Sequence, residues 1–260
     1  MRLLIFGDVV ARPGRKAVLH SLGELKKEFD PDVVILNAEN IAGGFSVTQE
    51  IATEMFEAGV DLFTSGNHIF DKQDALSLLP KEPRVLRPAN YPAETVGEGL
   101  FVGEIRGKRI AVFNLLGRVF MAPNVDDPFR KAKECVSQIP DDVLVRVLDF
   151  HTEATSEKYA MGWFLDGLVS AVVGTHTHVQ TADERILPNG TAYITDLGMT
   201  GSYNGVIGMH KDDVIERFTK VPAKRAAHSK GNVWLCFVVI DVDEETGKAV
   251  SIHRHRREIQ

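Results

Sequence analysis

The chain has 260 residues, 44% hydrophobic and 25% charged, enough to bury a large core in one domain spanning 1–260. Its 36 acidic and 30 basic residues leave a net charge of −6. That balance argues against stable clamping of long nucleic acid through a general basic field, but it permits a small phosphate-bearing ligand met by local positive charge. Cys135 and Cys236 lack the spacing of a metal site and point to a reduced, cytoplasmic setting. The apolar run after Met1 is too short for a signal peptide, and no stretch approaches the length of a membrane span.

In chain order, Leu3–Phe6 reads as a buried strand, and Arg15–Phe29 carries Val18, Leu19, Leu22, Leu25 and Phe29 at helical spacing. Val33–Leu36 is a second strand, Thr48–Glu57 a second helix closed by Gly59, and Leu62–Thr64 a third strand. This βαβαβ order predicts a parallel sheet with helices on its faces. Leu100–Arg106 and Arg109–Leu116 flank Gly107-Lys108 as a hairpin. A helix near Asp127–Ile139, a strand over Val143–Phe150, a helix from about Ser156 to Leu165 and a strand over Leu168–Val173 follow. Val233–Val242 and Ala249–His255 flank Glu-Glu-Thr-Gly as an antiparallel pair, so two packed sheets in a mixed α/β protein are expected.

The first polar residues beyond these strands share a character. Leu3–Phe6 leads to Asp8; Val33–Leu36 leads to Asn37, Glu39 and Asn40; Leu62–Thr64 leads to Asn67 and His68. Val143–Leu148 leads to Asp149 and His151, and Leu168–Val173 to His176 and His178. Parallel strands bring such residues to one sheet edge, where open α/β sheets form their sites. Helix caps do not explain them, because caps favour Ser, Thr, Asp and Asn over His.

Asp8, Glu39, Asn40, Asn67, His151, His176 and His178 form an oxygen-and-imidazole donor set suited to Mn, Fe or Zn, without the thiolates of a structural zinc site. They exceed what one ion takes from protein while keeping room for water. A pair of ions about 3.5–4 Å apart with a bridging carboxylate would use them, lowering the pKa of a bridging water and clamping the oxygens of an in-line displacement at phosphorus. Phosphoester hydrolysis is the implied chemistry. His253-Arg-His255 repeats the spacing of His176-x-His178 among Arg254, Arg256 and Arg257, which would repel a cation, so these imidazoles are expected to be solvated or at an interface. His20 falls on a helix, and His210 and His228 fall in loops. His68, directly after Asn67, is placed to act as general acid on a leaving oxygen.

Gly66-Asn67-His68 and Gly174-Thr-His176-Thr-His178 resemble motifs of calcineurin-like metallophosphoesterases. The chain departs from the wider superfamily in having Val9-Val10 after Asp8 instead of Asp-x-His, and in lacking Gly-Asp-x-x-Asp. Those departures, with Gly7-Asp8-Val-Val, Leu36-Asn-Ala-Glu-Asn40, Thr64-Ser-Gly-Asn-His68, Asp149-Phe-His151, Glu153-Ala-Thr-Ser156 and Asp196-Leu-Gly-Met-Thr-Gly201, identify it as a member of the YmdB-like family over nearly its full length.

The resemblance implies a four-layer α/β/β/α sandwich of two mixed sheets, a dinuclear centre of divalent or trivalent ions with Fe or Mn favoured, and hydrolysis of 2′,3′-cyclic nucleotides. It implies one ion held by Asp8, Glu39, Asn40 and His178, the other by Glu39, Asn67, His151 and His176, with Glu39 bridging and His68 above the pair. A homo-oligomer is expected, binding a small phosphodiester or cyclic nucleotide and no membrane. Ala11–Arg15 opens a helix, and Arg12 there is either a phosphate contact or a solvated side chain. Gly198–Gly208 is either a mobile rim over the site or an irregular connection. Phosphomonoester or protein-phosphate hydrolysis, nucleotide sensing and a mononuclear centre are the rival readings.

Overall fold

The structure is a computed structural model that describes residues 1–222 and 225–259. The first third alternates β1 (Arg2–Val9), α1 (Ala11–Phe29), β2 (Val33–Asn37), α2 (Gln49–Glu57), β3 (Leu62–Thr64) and a short α3 (Gln73–Leu78). The middle holds β4 (Leu100–Ile105), β5 (Lys108–Leu116), α4 (Pro128–Gln138), β6 (Arg146–His151), α5 (Thr155–Leu165) and β7 (Ala171–Thr175). The last third holds β8 (Arg185–Ile186), β9 (Ala192–Ile194), β10 (Met199–Ser202), α6 (Lys211–Thr219), β11 (Val233–Val242) and β12 (Ala249–Ile259).

These strands make two six-stranded sheets, ordered β12-β11-β10-β1-β2-β3 and β4-β5-β6-β7-β9-β8. Side-chain alternation along β1 shows how the layers form. Leu4 and Phe6 pack with Val18, Leu22 and Leu25 of α1 and Met55 of α2. Leu3 and Ile5 point the other way, onto Val147, Val173 and Ile194 of the second sheet. The far face of that sheet carries Phe113, Leu148 and Phe150 against Ala132 and Cys135 of α4 and Met161 and Leu165 of α5. The result is the α/β/β/α sandwich. Strands buried on both faces explain why Leu3–Phe6 and Val33–Leu36 are unbroken apolar runs.

β1, β2 and β3 are mutually parallel, as are β5, β6, β7 and β9, so each sheet presents C-terminal strand ends at one edge. β4–β5 and β11–β12 are the antiparallel hairpins expected. Several boundaries move. α1 begins at Ala11, so Arg12-Pro13-Gly14 is its first turn rather than a loop, with the Ala11 amide donating to the Asn40 carbonyl at 2.8 Å. β6 runs on to include His151, and β7 begins at Ala171. α3 and α6 lack a clear periodic signal in the sequence, being short and largely exposed.

Within the stretch from Gly198 to Gly208, Met199–Ser202 forms a strand, β10, that the sequence reading does not expect. β1 pairs with β11 along Arg2–Phe6, but at Asp8 and Val9 its neighbour is β10. β10 is thus wedged into the sheet at the end where the polar residues gather. A Cβ at Gly7 would collide with the Gly198 carbonyl, so this close approach of two backbones requires glycine.

His255 departs from expectation as well: its ring stacks on Phe237 with centroids 5.0 Å apart and lies 4.9 Å from Phe29. It is a packing residue at the α1–sheet boundary. His253 and His20 are exposed.

Candidate metal centre

The polar strand ends converge. Asp8 ends β1, Glu39 and Asn40 follow β2, Asn67 and His68 follow β3, His151 ends β6, and His176 and His178 follow β7. Asp8, Glu39 and His151 are no more than 1% exposed, and Asn40 is 5% exposed. The turn after β7 presents its imidazoles by adopting left-handed backbone at His176 (φ 103°) and His178 (φ 65°), a conformation non-glycine residues rarely take outside constrained sites.

Two groups of donors form, each with ligand atoms within 4.8 Å of one another: Glu39 with His151 and His176, and Asp8 with Glu39 and His178. In the first, His151 Nε2 lies 3.2 Å from Glu39 Oε1 and 3.1 Å from both Asn67 Oδ1 and His176 Nδ1. In the second, His178 Nε2 lies 3.8 Å from Asp8 Oδ1 and 3.3 Å from the Asn40 amide, which also meets Glu39 Oε1 at 2.9 Å. Rotating that amide brings its oxygen to the same position. Glu39 belongs to both groups.

The chemistry of this cluster calls for a cation. Asp8 Oδ1 is buried without any hydrogen-bond partner, an arrangement that costs several kcal/mol unless a positive charge is supplied. Burial accordingly pushes the Asp8 carboxyl up to about 6. Burial lowers the His176 imidazole to about 3, aided by the neighbouring His151, so it stays neutral and able to donate a lone pair. His151 is subject to the same burial penalty, but Glu39 and Asp8 outweigh it and raise it to about 9. A Cβ at Gly66 would collide with Glu39 Oε2 and His151 Nε2, so the glycine keeps the backbone out of space the ligand atoms need. Burial, the orphaned oxygen and the mixed O/N donors fit a divalent metal centre.

Behind these donors lies a support the strand-end reading does not reveal. His151 Nδ1 is 2.8 Å from Thr175 Oγ1, which donates at 2.6 Å to Asp149 Oδ1. Asn37 Nδ2 donates at 3.0 Å to Asp149 Oδ2, and the Thr64 hydroxyl donates to the same oxygen. This network fixes the ring so that Nε2 faces the donors. Beneath the turn after β7, Lys158 is 1% exposed and donates to the Thr175 carbonyl at 2.8 Å and to Asp196 Oδ2 at 2.6 Å. Asp196 Oδ2 accepts the Thr177 amide at 3.1 Å, and Oδ1 accepts the Gly198 amide at 2.8 Å. The Lys158–Asp196 pair therefore pins the chain on both sides of His176.

His68 sits on the rim, its backbone N–H on Glu39 Oε2 at 3.0 Å and its Nδ1 2.7 Å from Asp71 Oδ2. Strand-end chemistry does not single out Asp71 as a partner, although its position three residues on is the signal that could have found it. The donor cluster opens into a cavity of about 280 Å³ lined by Glu39, Asn40, His68, His176, His178 and Ile207, together with Glu153 and Thr177. The Ile207 carbonyl lies 3.1 Å from His178 Nδ1, so the end of the Gly198–Gly208 stretch is rim to the site. Glu153 Oε2 stands 3.3 Å from His176 Nε2.

Arg12 is exposed and is not among the residues lining this cavity. His210 precedes α6, and His228 Nε2 lies 2.8 Å from the Gly43 carbonyl; neither is among the residues lining this cavity. A larger recess of about 800 Å³ lies beside Arg118–Phe129, but its buried carboxylate, Glu157, is fully engaged by the Thr152 hydroxyl and the Arg118 and Val119 amides.

With this geometry in view, the relatives of the chain are informative. It is 48% identical over 255 residues to the 2′,3′-cyclic-nucleotide 2′-phosphodiesterase of Bacillus subtilis, covering 98% of this chain and 96% of that protein. A crystal structure described as a novel phosphatase from Mycoplasma pneumoniae superposes with a TM-score of 0.93 at 34% identity, covering 99% of this chain and 93% of the other. The crystal structure of a protein from Thermus thermophilus superposes with a TM-score of 0.92 at 38% identity over 99% of both chains. No helix among the described residues is long and apolar enough to cross a membrane. Residues 4–255 match the YmdB-like protein family, and the chain belongs to that family of metallophosphoesterases.

Proposed function

We propose that the chain hydrolyses small phosphodiesters, with 2′,3′-cyclic nucleotides as substrates, opening the five-membered phosphate ring to a monophosphate. The observation that carries this reading is the pair of donor groups sharing buried Glu39, beside a rim histidine oriented by a carboxylate. The activity named for the Bacillus subtilis relative supports it.

Asp8, Glu39, Asn40 and His178 would hold one ion, and Glu39, Asn67, His151 and His176 the other, with Glu39 bridging; iron or manganese suits these donors. When bound, such a pair supplies Lewis-acid stabilisation of the phosphoryl oxygens and lowers the pKa of the attacking water. The protein's own contribution is then positional and acid–base. Asn37, Thr64, Asp149 and Thr175 keep His151 in one orientation, and Lys158 and Asp196 hold the turn bearing His176 and His178. Asp71 engages His68 Nδ1 and orients the ring, which leaves Nε2–H to protonate the departing ribose oxygen. One P–O bond forms to water as the P–O2′ bond breaks, and O2′ takes the proton from His68.

The test uses one preparation for two measurements: elemental analysis and hydrolysis of 2′,3′-cyclic AMP against p-nitrophenyl phosphate and a phosphoserine peptide. The expected result is two ions per chain with preference for the cyclic diester. His68→Ala should keep its metal while turnover falls by about 10²–10⁴. One ion per chain would refute the bridged centre, preference for monoesters would refute the substrate class, and unchanged turnover in His68→Ala would refute its role.

A further inference from the structure

Beside His68, which Asp71 and Phe45 contact, lies a second recess of about 360 Å³ lined by Gly43, Phe45, Asp71, Lys72 and Arg225. It shares a wall with the catalytic cavity. Asp71 lines the recess while engaging His68 Nδ1 at 2.7 Å, and the Phe45 ring meets the His68 ring edge-on with centroids 5.1 Å apart. On the proposed function, the leaving oxygen lies at His68. The organic part of the substrate attached to that oxygen must then extend past His68, and this recess is where it arrives.

Its chemistry matches a flat, polar heterocycle. Phe45 is half-buried and held by its neighbours: the Ala42 amide donates to the Ser46 carbonyl at 3.1 Å, and Ser46 Oγ donates to the Ile69 carbonyl at 2.5 Å. The Arg225 guanidinium lies over the Phe45 ring, 5.1 Å from its centre, so the two side chains form one layered surface of the recess. The segment bearing Arg225 is tied to the same loop through His228 and the Gly43 carbonyl. A guanidinium plane backed by an aromatic ring is a surface on which a nucleobase stacks, and every base offers a π-face to it. Arg225 and Lys72 supply donors for ring nitrogens and carbonyls, while Asp71 Oδ1 has no partner among the described residues and can accept an exocyclic N–H. The Asp71 carboxylate in so small a space disfavours a second phosphate.

We infer that the Phe45–Arg225 recess is the nucleobase subsite of the enzyme, through which it favours a cyclic nucleotide over the bare sugar cyclic phosphate. This rests on the phosphodiesterase reading. The experiment compares kcat/KM for 2′,3′-cyclic AMP and for ribose 2′,3′-cyclic phosphate, which lacks the base, in the metal-loaded wild type and in Phe45→Leu, Phe45→Trp and Arg225→Ala. The ratio of the two is expected to exceed about ten in the wild type and to fall about tenfold in Phe45→Leu, mainly through KM, because stacking is lost. Phe45→Trp should retain the ratio, and Arg225→Ala should lower it less than Phe45→Leu.

Reading a ratio separates base recognition from any disturbance of His68 caused by changing Phe45. A wild-type ratio near one, or a ratio unchanged in both Phe45→Leu and Arg225→Ala, overturns the subsite while leaving phosphodiester hydrolysis standing. If neither diester is hydrolysed, the phosphodiesterase reading fails, and equilibrium dialysis with adenosine decides the subsite separately. Retention by the wild type and loss in Phe45→Leu supports it; no retention overturns it.

Discussion

The two halves of the donor cluster are built differently. The His151 half is set in the sheet: His151 ends β6, is fully buried, and is backed by Thr175, Asp149, Asn37 and Thr64. The His178 half leans on the rim, since His178 takes its Nδ1 contact from the Ile207 carbonyl and its Asp8 partner has an oxygen left without a donor. A strand with a threonine and a carboxylate behind it orients an imidazole before any ion arrives. A loop carbonyl does so more weakly, so the second half depends more on the ion for its order.

Substitutions can break or sharpen this contrast. The largest effect is expected from Glu39→Ala, because Glu39 serves both halves. Both ions should be lost on elemental analysis and turnover should fall about a thousandfold or more, since several kcal/mol of transition-state stabilisation disappears. Retention of one ion would show that the halves do not share this carboxylate.

Next in size is Lys158→Met, which removes one partner of a fully buried pair and leaves Asp196 uncompensated. Denaturant unfolding should show a loss of about 3–5 kcal/mol. Because Lys158 also holds the Thr175 carbonyl and Asp196 holds the Thr177 amide, both halves should lose metal affinity. Full stability in this variant would remove the brace from the account.

The smallest and most discriminating comparison pairs Thr175→Val with Asn40→Ala. Thr175→Val takes away the hydroxyl behind His151 and should weaken the ion of that half about 10–100-fold, leaving the other nearly intact. Asn40→Ala should do the reverse, weakening mainly the ion held with Asp8 and His178. Metal titration followed by stoichiometry checks both, and equal loss of the two ions in either variant would dissolve the distinction between the halves.

Much of this could be read from the chain alone, for a physical reason. Strands buried on both faces must be apolar throughout, so their ends are marked by the first polar residue, and parallel order places those ends together. Leu3–Phe6 before Asp8, Val33–Leu36 before Glu39 and Asn40, and Leu62–Thr64 before Asn67 and His68 were legible in this way, as were the βαβαβ order and both hairpins. The motifs around these residues were specific enough to give the family.

What the sequence could not show are contacts made across large separations by residues with ordinary local roles. Lys158 looks like any polar position on a helix until Asp196 comes to meet it, and Thr175 looks like a strand residue until it is found between His151 and Asp149. The glycine-rich stretch at Gly198 became a strand only because the sheet parts beside Asp8 to admit it. Phe45 and Arg225, far apart in the chain, define a recess only when folded. Local periodicity and strand-end chemistry determined the candidate donor set and the layers. The orientation of those side chains and the surface beside them were decided by tertiary packing, because hydrogen bonds between distant side chains leave no periodic signature in the sequence.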